Sequence, residues 1–246
     1  MLDVAILRIA GGYMNILAME SSAKAASVAL LSEGKLIGQH FQNNGFTHSK
    51  TLLMMAESLL SGLELTPADV SLAAVAKGPG SFTGVRIGVA AVKGFAWSRG
   101  IPVCGVSSLE AMAYQLDASE DIIICAVMDA RREQVYNAFF QPTEQRPIRL
   151  CEDRAISLSQ LNLELQHYRA KSILLVGDGA EMIFKQLHFA HGNVRLSPVL
   201  TRVQSAYGVA LAAMQHQPIS AVELEPSYLR PSQAERENTS KGVTTS

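Results

Sequence analysis

The chain has 246 residues, of which 48% are hydrophobic and 17% are charged, and its formal net charge is −1. This composition is typical of a compact soluble protein of one or two domains, and it excludes collagen-like or largely disordered chains. The near-neutral charge excludes a global basic footprint for nucleic acid, so an RNA contact has to be local or supplied by a partner.

The first half of the chain predicts three strands followed by helix, strand, helix, strand and helix. We expect residues 1–13, which precede Met14, to be a dispensable extension. The runs "NILAMESS", "ASVALLS" and "KLIGQHFQN" then have strand character. "THSKTLLMMAESLLSGLELTPADV" has helical spacing, "SLAAVAKG" and "IPVCGVS" predict buried strands, and "SFTGVRIGVAAVKGFAWSRG" and "SLEAMAYQL" predict helices.

The second half repeats this order. "DIIICAVMDARREQVYNAFFQ" and "IRLCEDRAI" predict three strands, "SLSQLNLELQHYRA" a helix, and "SILLVGDGAEMIFKQL" a strand that enters a helix through a glycine turn. We therefore expect two related α/β subdomains, residues 14–107 and 108–230, with a cleft between them and the last helix packed back on the first. Residues 231–246 lack large apolar side chains, and we expect a disordered tail.

The glycine-rich run "KGPGSFTGVRIG" raises three functional alternatives. A nucleophile elbow requires glycines two residues before and after the serine, but Pro79 and Thr83 flank Ser81. The spacing also fails the mononucleotide and dinucleotide glycine patterns. A turn at Gly78, Gly80 and Ser81 that receives an anion beside a helix N-terminus therefore remains, and the alternative is a purely structural turn whose helix is capped by Ser81 or Thr83.

Other chemical candidates are weaker. His188 and His191 are more typical of a surface than of a metal site, and we assign neither a metal site nor a catalytic residue. Glu20 and Asp129 occupy equivalent strand ends, where a carboxylate either organises metal or water or merely accepts hydrogen bonds in a turn. Arg131 and Arg132 predict either a solvated hairpin tip or a small anion contact.

Two predicted helices carry apolar residues around most of their circumference. The surplus indicates either a protein-binding surface or a core that covers both faces of a sheet, and both alternatives stay open at this stage. The three cysteines, Cys104, Cys125 and Cys151, are widely spaced, and no apolar run reaches the ~18 residues that span a bilayer. We therefore expect a cytoplasmic protein with no membrane contact.

The motifs "MNILAMESS", "HSKTLLMM", "KGPGSFTGVRIG", "IPVCGVSSLEAMA", "MDARREQVY" and "PSYLR" together resemble the TsaB (YeaZ) family. Members of that family are needed to make N6-threonylcarbamoyladenosine in tRNA. The resemblance runs from Met14 to about Arg230 and implies an α/β fold of two related acetate-kinase/Hsp70/actin-like (ASKHA) subdomains. The catalytic relative TsaD has a metal-binding pair of histidines where this chain has "SSLEAMA", so the resemblance implies a non-catalytic subunit.

The resemblance also implies partners. These are a TsaD-like catalytic subunit, a TsaE-like ATPase and, through the complex, tRNA; the isolated chain is expected to form a homodimer. No tightly bound cofactor is implied, and ATP or ADP is expected only within the complex. The interface residues carried over are His48, Leu52, Met54, Met55, Leu59, Ile87, Ala90, Ala91 and Phe95. The alternative is an ASKHA-fold phosphotransferase or ATPase that is active by itself, with a glycopeptidase as a further and less supported alternative.

Overall fold

The computed structural model describes residues 14–44, 48–186 and 193–230. The expected extension (1–13), the expected tail (231–246), His188 and His191 lie outside the described residues. Within those residues no helix is long and apolar enough to cross a membrane. The chain forms two sheets, each built around a strand that is buried along nearly its whole length.

The first sheet has the strand order β3-β2-β1-β4-β5. The strands are β1 (Asn15–Glu20), β2 (Ala26–Ser32), β3 (Lys35–Gln42), β4 (Leu72–Gly78) and β5 (Val103–Ser107). The central strand β1 is antiparallel to β2 and parallel to β4. This arrangement follows from the sequence, because the predicted hairpins connect β1 to β3 and a helix is needed to reach the parallel strand β4.

The second sheet repeats that topology with the order β11-β10-β6-β7-β8, and β9 also pairs with β7. Its strands are β6 (Ile122–Asp129), β7 (Gln134–Gln141), β8 (Ile148–Arg149), β9 (Arg154–Ser157), β10 (Ser172–Val176) and β11 (Val194–Leu196). Like β1, strand β6 has an antiparallel neighbour, β7, and a parallel one, β10. The run "IRLCEDRAI" forms two short strands, β8 and β9, rather than one, because each pairs with a different end of β7.

Helices cover both faces of both sheets. They are α1 (His48–Gly62), α2 (Phe82–Trp97), α3 (Ser108–Tyr114), α4 (Leu158–His167), α5 (Ala180–Gln186) and α6 (Ala206–Ala213), with short 3-10 turns at Pro67–Asp69 and Val199–Thr201. α1 and α2 pack on one face of the first sheet, and α4 and α5 pack on one face of the second. The predicted α/β class with two related units is confirmed.

The two central helices are exchanged between the units. α6, which follows the second sheet in the chain, buries its small residues against β1, β2 and β4 of the first sheet. α3, which follows the first sheet, buries Leu109 and Met112 against Ile124 and Phe140 of the second sheet. Each sheet is thus the middle of a three-layer stack, and the exchanged helices join the two stacks.

Candidate functional site

The glycine-rich loop between β4 and α2 is a site of close backbone packing. Its glycines approach the end of β1, where a Cβ on Gly80 would overlap the carbonyl oxygen of Ser22 and a Cβ on Gly84 would overlap that of Ser21. The Ser81 amide donates to the Ser22 carbonyl at 2.7 Å. These glycines are therefore required because two backbones touch, whatever else the loop does.

The opposite side of the loop is covered by the C-terminal segment. Gly78 has φ of +118°, and a Cβ there would overlap the carbonyl oxygen of Ser227. The Ser227 amide in turn donates to the Lys77 carbonyl at 2.7 Å. The turn expected to receive an anion at Gly78, Gly80 and Ser81 is thus packed against the chain's own backbone and is not an open phosphate cradle. Nucleotide binding itself stays a prediction.

Ser81 acts as a helix cap in this loop. Its hydroxyl oxygen accepts a hydrogen bond from the Gly84 amide at 3.3 Å, at the first turn of α2. This satisfies one of the unpaired amides at the helix start. Of the two capping residues that the sequence offered, Ser81 takes the role.

The second unit contains an equivalent glycine junction between β10 and α5. A Cβ on Gly177, which has φ of +114°, would overlap the Val127 carbonyl oxygen at the end of β6. Gly179 is similarly close to the backbone of Met128 and Asp129. Both glycine turns therefore pack on the end of the neighbouring central strand.

The carboxyl groups of Glu20, which is buried, and Asp178, which is exposed, interact electrostatically where these junctions meet. Glu20 at the end of β1 is fully buried, and this burial raises its pKa to about 7, with a further increase from the nearby Asp178. The Ser22 amide donates to Glu20 Oε1 at 2.5 Å, while Glu20 Oε2 has no partner among the described residues. Burial therefore favours the protonated form of Glu20 at a pH where an exposed glutamate is ionised.

Asp178 lies in the glycine turn of the second unit. Desolvation by the surrounding protein raises the pKa of this exposed residue, although a hydrogen bond from Gln204 Nε2 to Oδ1, at 3.0 Å, opposes the effect. Sequence reasoning missed Asp178 and Gln204 as companions of Glu20. The alignment of the two glycine turns could have found Asp178. Within the described ranges, no group of three or more His, Cys, Asp or Glu side chains is placed to hold a metal ion.

Asp129 matches Glu20 in topology but not in environment. It is exposed at the end of β6, and its Oδ1 accepts a hydrogen bond from the Arg131 amide at 2.7 Å. Its observed contact is that of a turn acceptor, which was one of the two alternatives considered for this position.

The β6–β7 hairpin turns through consecutive non-glycine residues in the left-handed region. These residues are Arg131, Arg132 and Glu133, with φ of 61°, 55° and 57°. Such a conformation costs roughly 1–2 kcal/mol per residue relative to the right-handed region. Hydrogen bonds from the Ala130 amide to the Gln134 carbonyl, at 3.0 Å, and from the Leu158 amide to the Glu133 carbonyl, at 3.1 Å, hold the turn in place.

The structure corrects part of the expected interface on α1. Leu52, Met55 and Leu59 are between 1% and 4% exposed and pack into the core of the first unit. They cannot touch a partner directly, because the helical spacing points them at the sheet. Their neighbours Leu53 and Met54 are 48% and 67% exposed, so the outward face of α1 begins there. His48 begins α1, but its side chain lies outside the described part of the chain.

The expected interface residues on α2 lie at its margin or on its outside. Ala90 is exposed, whereas Ile87, Ala91 and Phe95 are partly buried against the core. Trp97, which the carried-over set did not include, is 66% exposed at the end of the helix. We name Leu53, Met54, Ala90 and Trp97 the outward helix face.

The C-terminal segment flanks α2. Lys93 Nζ donates to the carbonyls of Val222 and Leu224 at 3.0 and 2.9 Å, and Arg86 Nε donates to the Tyr228 hydroxyl at 2.8 Å. α1 contacts α2 in the same helical layer. The outward helix face therefore lies on a layer of two helices, α1 and α2, that is hydrogen-bonded to the C-terminal segment.

A polar cluster also joins the segment "SSLEAMA" to distant parts of the chain. Glu110 Oε2 lies 3.0 Å from His216 Nε2 and 3.9 Å from Arg149 Nη2. The hydrogen bond to Glu110 raises the pKa of His216. Sequence reasoning missed this pairing, since no local pattern links residues so far apart.

The comparisons with known proteins agree with one another. A family model described as TsaD, tRNA N6-adenosine threonylcarbamoyltransferase, matches residues 43–173. The tRNA threonylcarbamoyladenosine biosynthesis protein TsaB of Bacillus subtilis is 37% identical over 164 residues, covering 67% of this chain and 71% of the relative. TsaB of Haemophilus influenzae is 32% identical over 237 residues, covering 88% and 94% respectively.

A solved structure, YeaZ from Pseudomonas aeruginosa, matches with a TM-score of 0.75 at 26% identity, covering 88% of this chain and 100% of that one. The α/β fold of two related units is thus shared with YeaZ, and the ASKHA-like class stays a prediction. The segment matched by the family model contains α1, the glycine-rich loop, α2 and the β6–β7 turn.

Proposed function

Because the chain belongs to the TsaB (YeaZ) family of tRNA threonylcarbamoyladenosine biosynthesis proteins, we propose that it acts there as a non-catalytic subunit that pairs with and organises a TsaD-like transferase. In this proposal the partner transfers the threonylcarbamoyl group to the N6 amine of an anticodon-loop adenine. This chain contributes binding energy that orders the partner.

The outward helix face is the observation that carries this proposal. Leu53 and Met54 on α1 and Trp97 on α2 leave large apolar side chains in water, although the stripe beneath them already fills the core. Exposed apolar surface of this kind favours a protein contact, and methionine adapts well to a partner surface. Two helices and their flanks can supply a substantial part of the ~1,600 Å² that a stable pairing commonly buries.

The environment of the candidate catalytic groups supports a non-catalytic role. The Ser81 hydroxyl accepts from the Gly84 amide at the helix start, and the glycine-rich loop is packed against Ser22 and Ser227. A hydroxyl that caps a helix has a structural role, and so does a loop that packs closely against other backbone segments.

The remaining partners belong to the same proposal. A TsaE-like ATPase joins the pair, ATP or ADP binds only within that assembly, and tRNA is reached through the complex. When the isolated chain has no transferase to bind, its outward helix face associates with that of a second copy. Sizing of the purified chain at high concentration tests this last point, and a strictly monomeric sample would count against it.

The first experiment compares two substitutions at exposed leucines on equivalent helices. Leu53 on α1 is 48% exposed and Leu163 on α4 is 55% exposed, so neither change to glutamate buries a charge in the monomer. We expect Leu53→Glu to abolish co-purification with the transferase, while Leu163→Glu retains it. Full-yield co-purification of Leu53→Glu would contradict the proposed surface.

A second measurement tests the pathway role in the cell. Depletion of the protein should lower threonylcarbamoyladenosine in digested tRNA, as quantified by mass spectrometry. Wild type and Leu163→Glu should restore the nucleoside, whereas Leu53→Glu should not. An unchanged level on depletion would overturn the proposal.

The alternative is an enzyme active by itself, as an ATP-dependent phosphotransferase or ATPase. The buried Glu20 carboxyl group and its interaction with the exposed Asp178 are the observation that favours it. Nucleotide turnover by the purified chain without partners, lost in Glu20→Gln, would support this alternative. A glycopeptidase has less support, because Ser81 has the capping contact described above.

A further inference from the structure

The β6–β7 turn presents two arginines that the proposed function does not use. Arg131 and Arg132 are exposed, and neither guanidinium has an ion-pair or hydrogen-bond partner among the described residues. Asp129 accepts a hydrogen bond from the Arg131 amide through its Oδ1. Both guanidinium groups are therefore available to an external anion.

A third arginine reaches the same turn from the other end of the chain. Arg230 donates from Nη1 to the Ala130 carbonyl at 2.8 Å, which places its side chain beside the turn. The carboxylates of the turn itself are those of Asp129 and Glu133. Three guanidinium groups thus gather at this edge, beside the carboxylates of Asp129, Glu133 and the neighbouring Asp178.

Aromatic rings and a further guanidinium group lie next to the edge formed by Arg131, Arg132 and Arg230. Tyr228, two residues before Arg230 and 40% exposed, has its ring centroid 4.6 Å from that of Phe82. The Arg86 guanidinium carbon lies 3.8 Å from the Phe82 ring centroid. Flat aromatic and guanidinium surfaces beside unpaired arginines are a combination that RNA contacts use, since phosphates pair with guanidinium and bases stack on planes.

The backbone of the turn is held in place by hydrogen bonds. Backbone hydrogen bonds of Ala130 and Glu133 and the carboxylate of Asp129 fix three residues in the left-handed region, where glycine is the ordinary choice. Retaining two arginines in such a conformation is typical of positions where the side chain has a task.

We propose that Arg131, Arg132 and Arg230 contact the phosphate backbone of RNA, as a local binding edge of the assembled complex. The inference rests on the proposed function, which brings tRNA to the complex. Arg86 and Tyr228 connect this edge to α2, so RNA bound there lies beside the partner that docks on the outward helix face. Because the chain has no overall positive charge, the contact adds to binding by the partner and does not replace it.

The test measures tRNA affinity of the complex with the transferase over a range of salt concentrations. The double variant Arg131→Gln/Arg132→Gln should weaken binding and reduce the slope of log affinity against log salt by roughly 1–2, since each phosphate contact contributes ~0.7–0.9. Arg230→Gln should reduce the slope further by somewhat less than 1. The double variant Lys35→Gln/Arg195→Gln removes two exposed cations elsewhere and should leave the slope unchanged.

The outcomes separate this inference from the proposed function. An intact complex whose affinity and salt slope are unchanged by Arg131→Gln/Arg132→Gln overturns the RNA contact alone. Loss of transferase co-purification in that variant also overturns it, since the arginines then serve a protein contact. If wild type does not pair with the transferase, both the proposed function and the RNA contact fail.

Discussion

The two units share a strand order but use the ends of their central strands differently. In the first unit the turn after β1 is buried, because Ser21 and Ser22 pack under the glycine-rich loop. In the second unit the turn after β6 is exposed and carries Arg131 and Arg132. The two units thus share the junction between the glycine turn and the central strand, while the surfaces around it differ.

The helices of the two units also differ, in their length. α1 and α2 have 15 and 16 residues, whereas α4, the counterpart of α1, has 10. The longer pair has room for an inward stripe that fills the core and a separate outward face. The first unit therefore offers an apolar surface to a protein, and the second offers an arginine edge.

The largest expected effect tests whether the two cores are equivalent. Leu52 on α1 and Leu161 on α4 are 1% and 0% exposed, so either change to alanine should lower the free energy of unfolding by about 2–5 kcal/mol. Leu53→Ala, at the exposed neighbour, should change it by less than about 0.5 kcal/mol. Urea denaturation of the three variants measures this, and a large loss in Leu53→Ala would contradict the assignment of the outward helix face.

The next prediction distinguishes the carboxylates of Glu20 and Asp129, which lie at equivalent strand ends. Since burial raises the Glu20 pKa from 4.5 to about 7, the folded protein takes up a proton before the unfolded chain does as the pH falls. Stability should therefore rise as pH decreases from about 7 towards 4.5, and Glu20→Gln should reduce this slope. Above pH 7 the variant should be more stable by up to about 3 kcal/mol.

The matched control for Glu20 is Asp129→Asn at the equivalent strand end. Because Asp129 is exposed, its replacement should alter stability by less than about 0.5 kcal/mol. Thermal denaturation at several pH values distinguishes the two positions. Equal pH profiles for Glu20→Gln and wild type would show that Glu20 does not carry the buried proton.

A smaller effect tests the glycine junction. Gly84→Ala should destabilise the protein by about 1–3 kcal/mol, because its Cβ would overlap the Ser21 carbonyl. Gly94, further along α2, has open space where the methyl group of an alanine would lie, so Gly94→Ala should stabilise by about 0.5–1 kcal/mol. Opposite signs in chemical denaturation are the expected result, and a neutral Gly84→Ala would remove the packing argument for this loop.

The smallest effect concerns the arginine turn. Arg132→Gly should raise the free energy of unfolding by about 1 kcal/mol, because glycine adopts a φ of 55° without the cost that arginine has. Arg132→Gln retains that cost and should leave stability nearly unchanged. If the glycine variant is no more stable than the glutamine variant in parallel urea titrations, the turn holds no strain.

Local pattern was sufficient for much of this protein. The order of strands and helices, the duplication and the two strand–glycine–helix junctions follow from hydrophobic periodicity and from the glycines that interrupt it, such as Gly78 and Gly177. The sequence motifs also identified the family. These features can be recognised from the spacing of residues within short segments of the chain.

The tertiary structure alone decided which side chains are available. Apolar residues occupy so much of α1 that periodicity does not separate Leu52, which is buried, from Leu53, which is exposed, until the sheet beneath the helix is in place. The approach of Asp178 to Glu20 and the arrival of Arg230 at the β6–β7 turn join distant segments. Such contacts depend on how whole layers pack, and a local sequence pattern does not encode that.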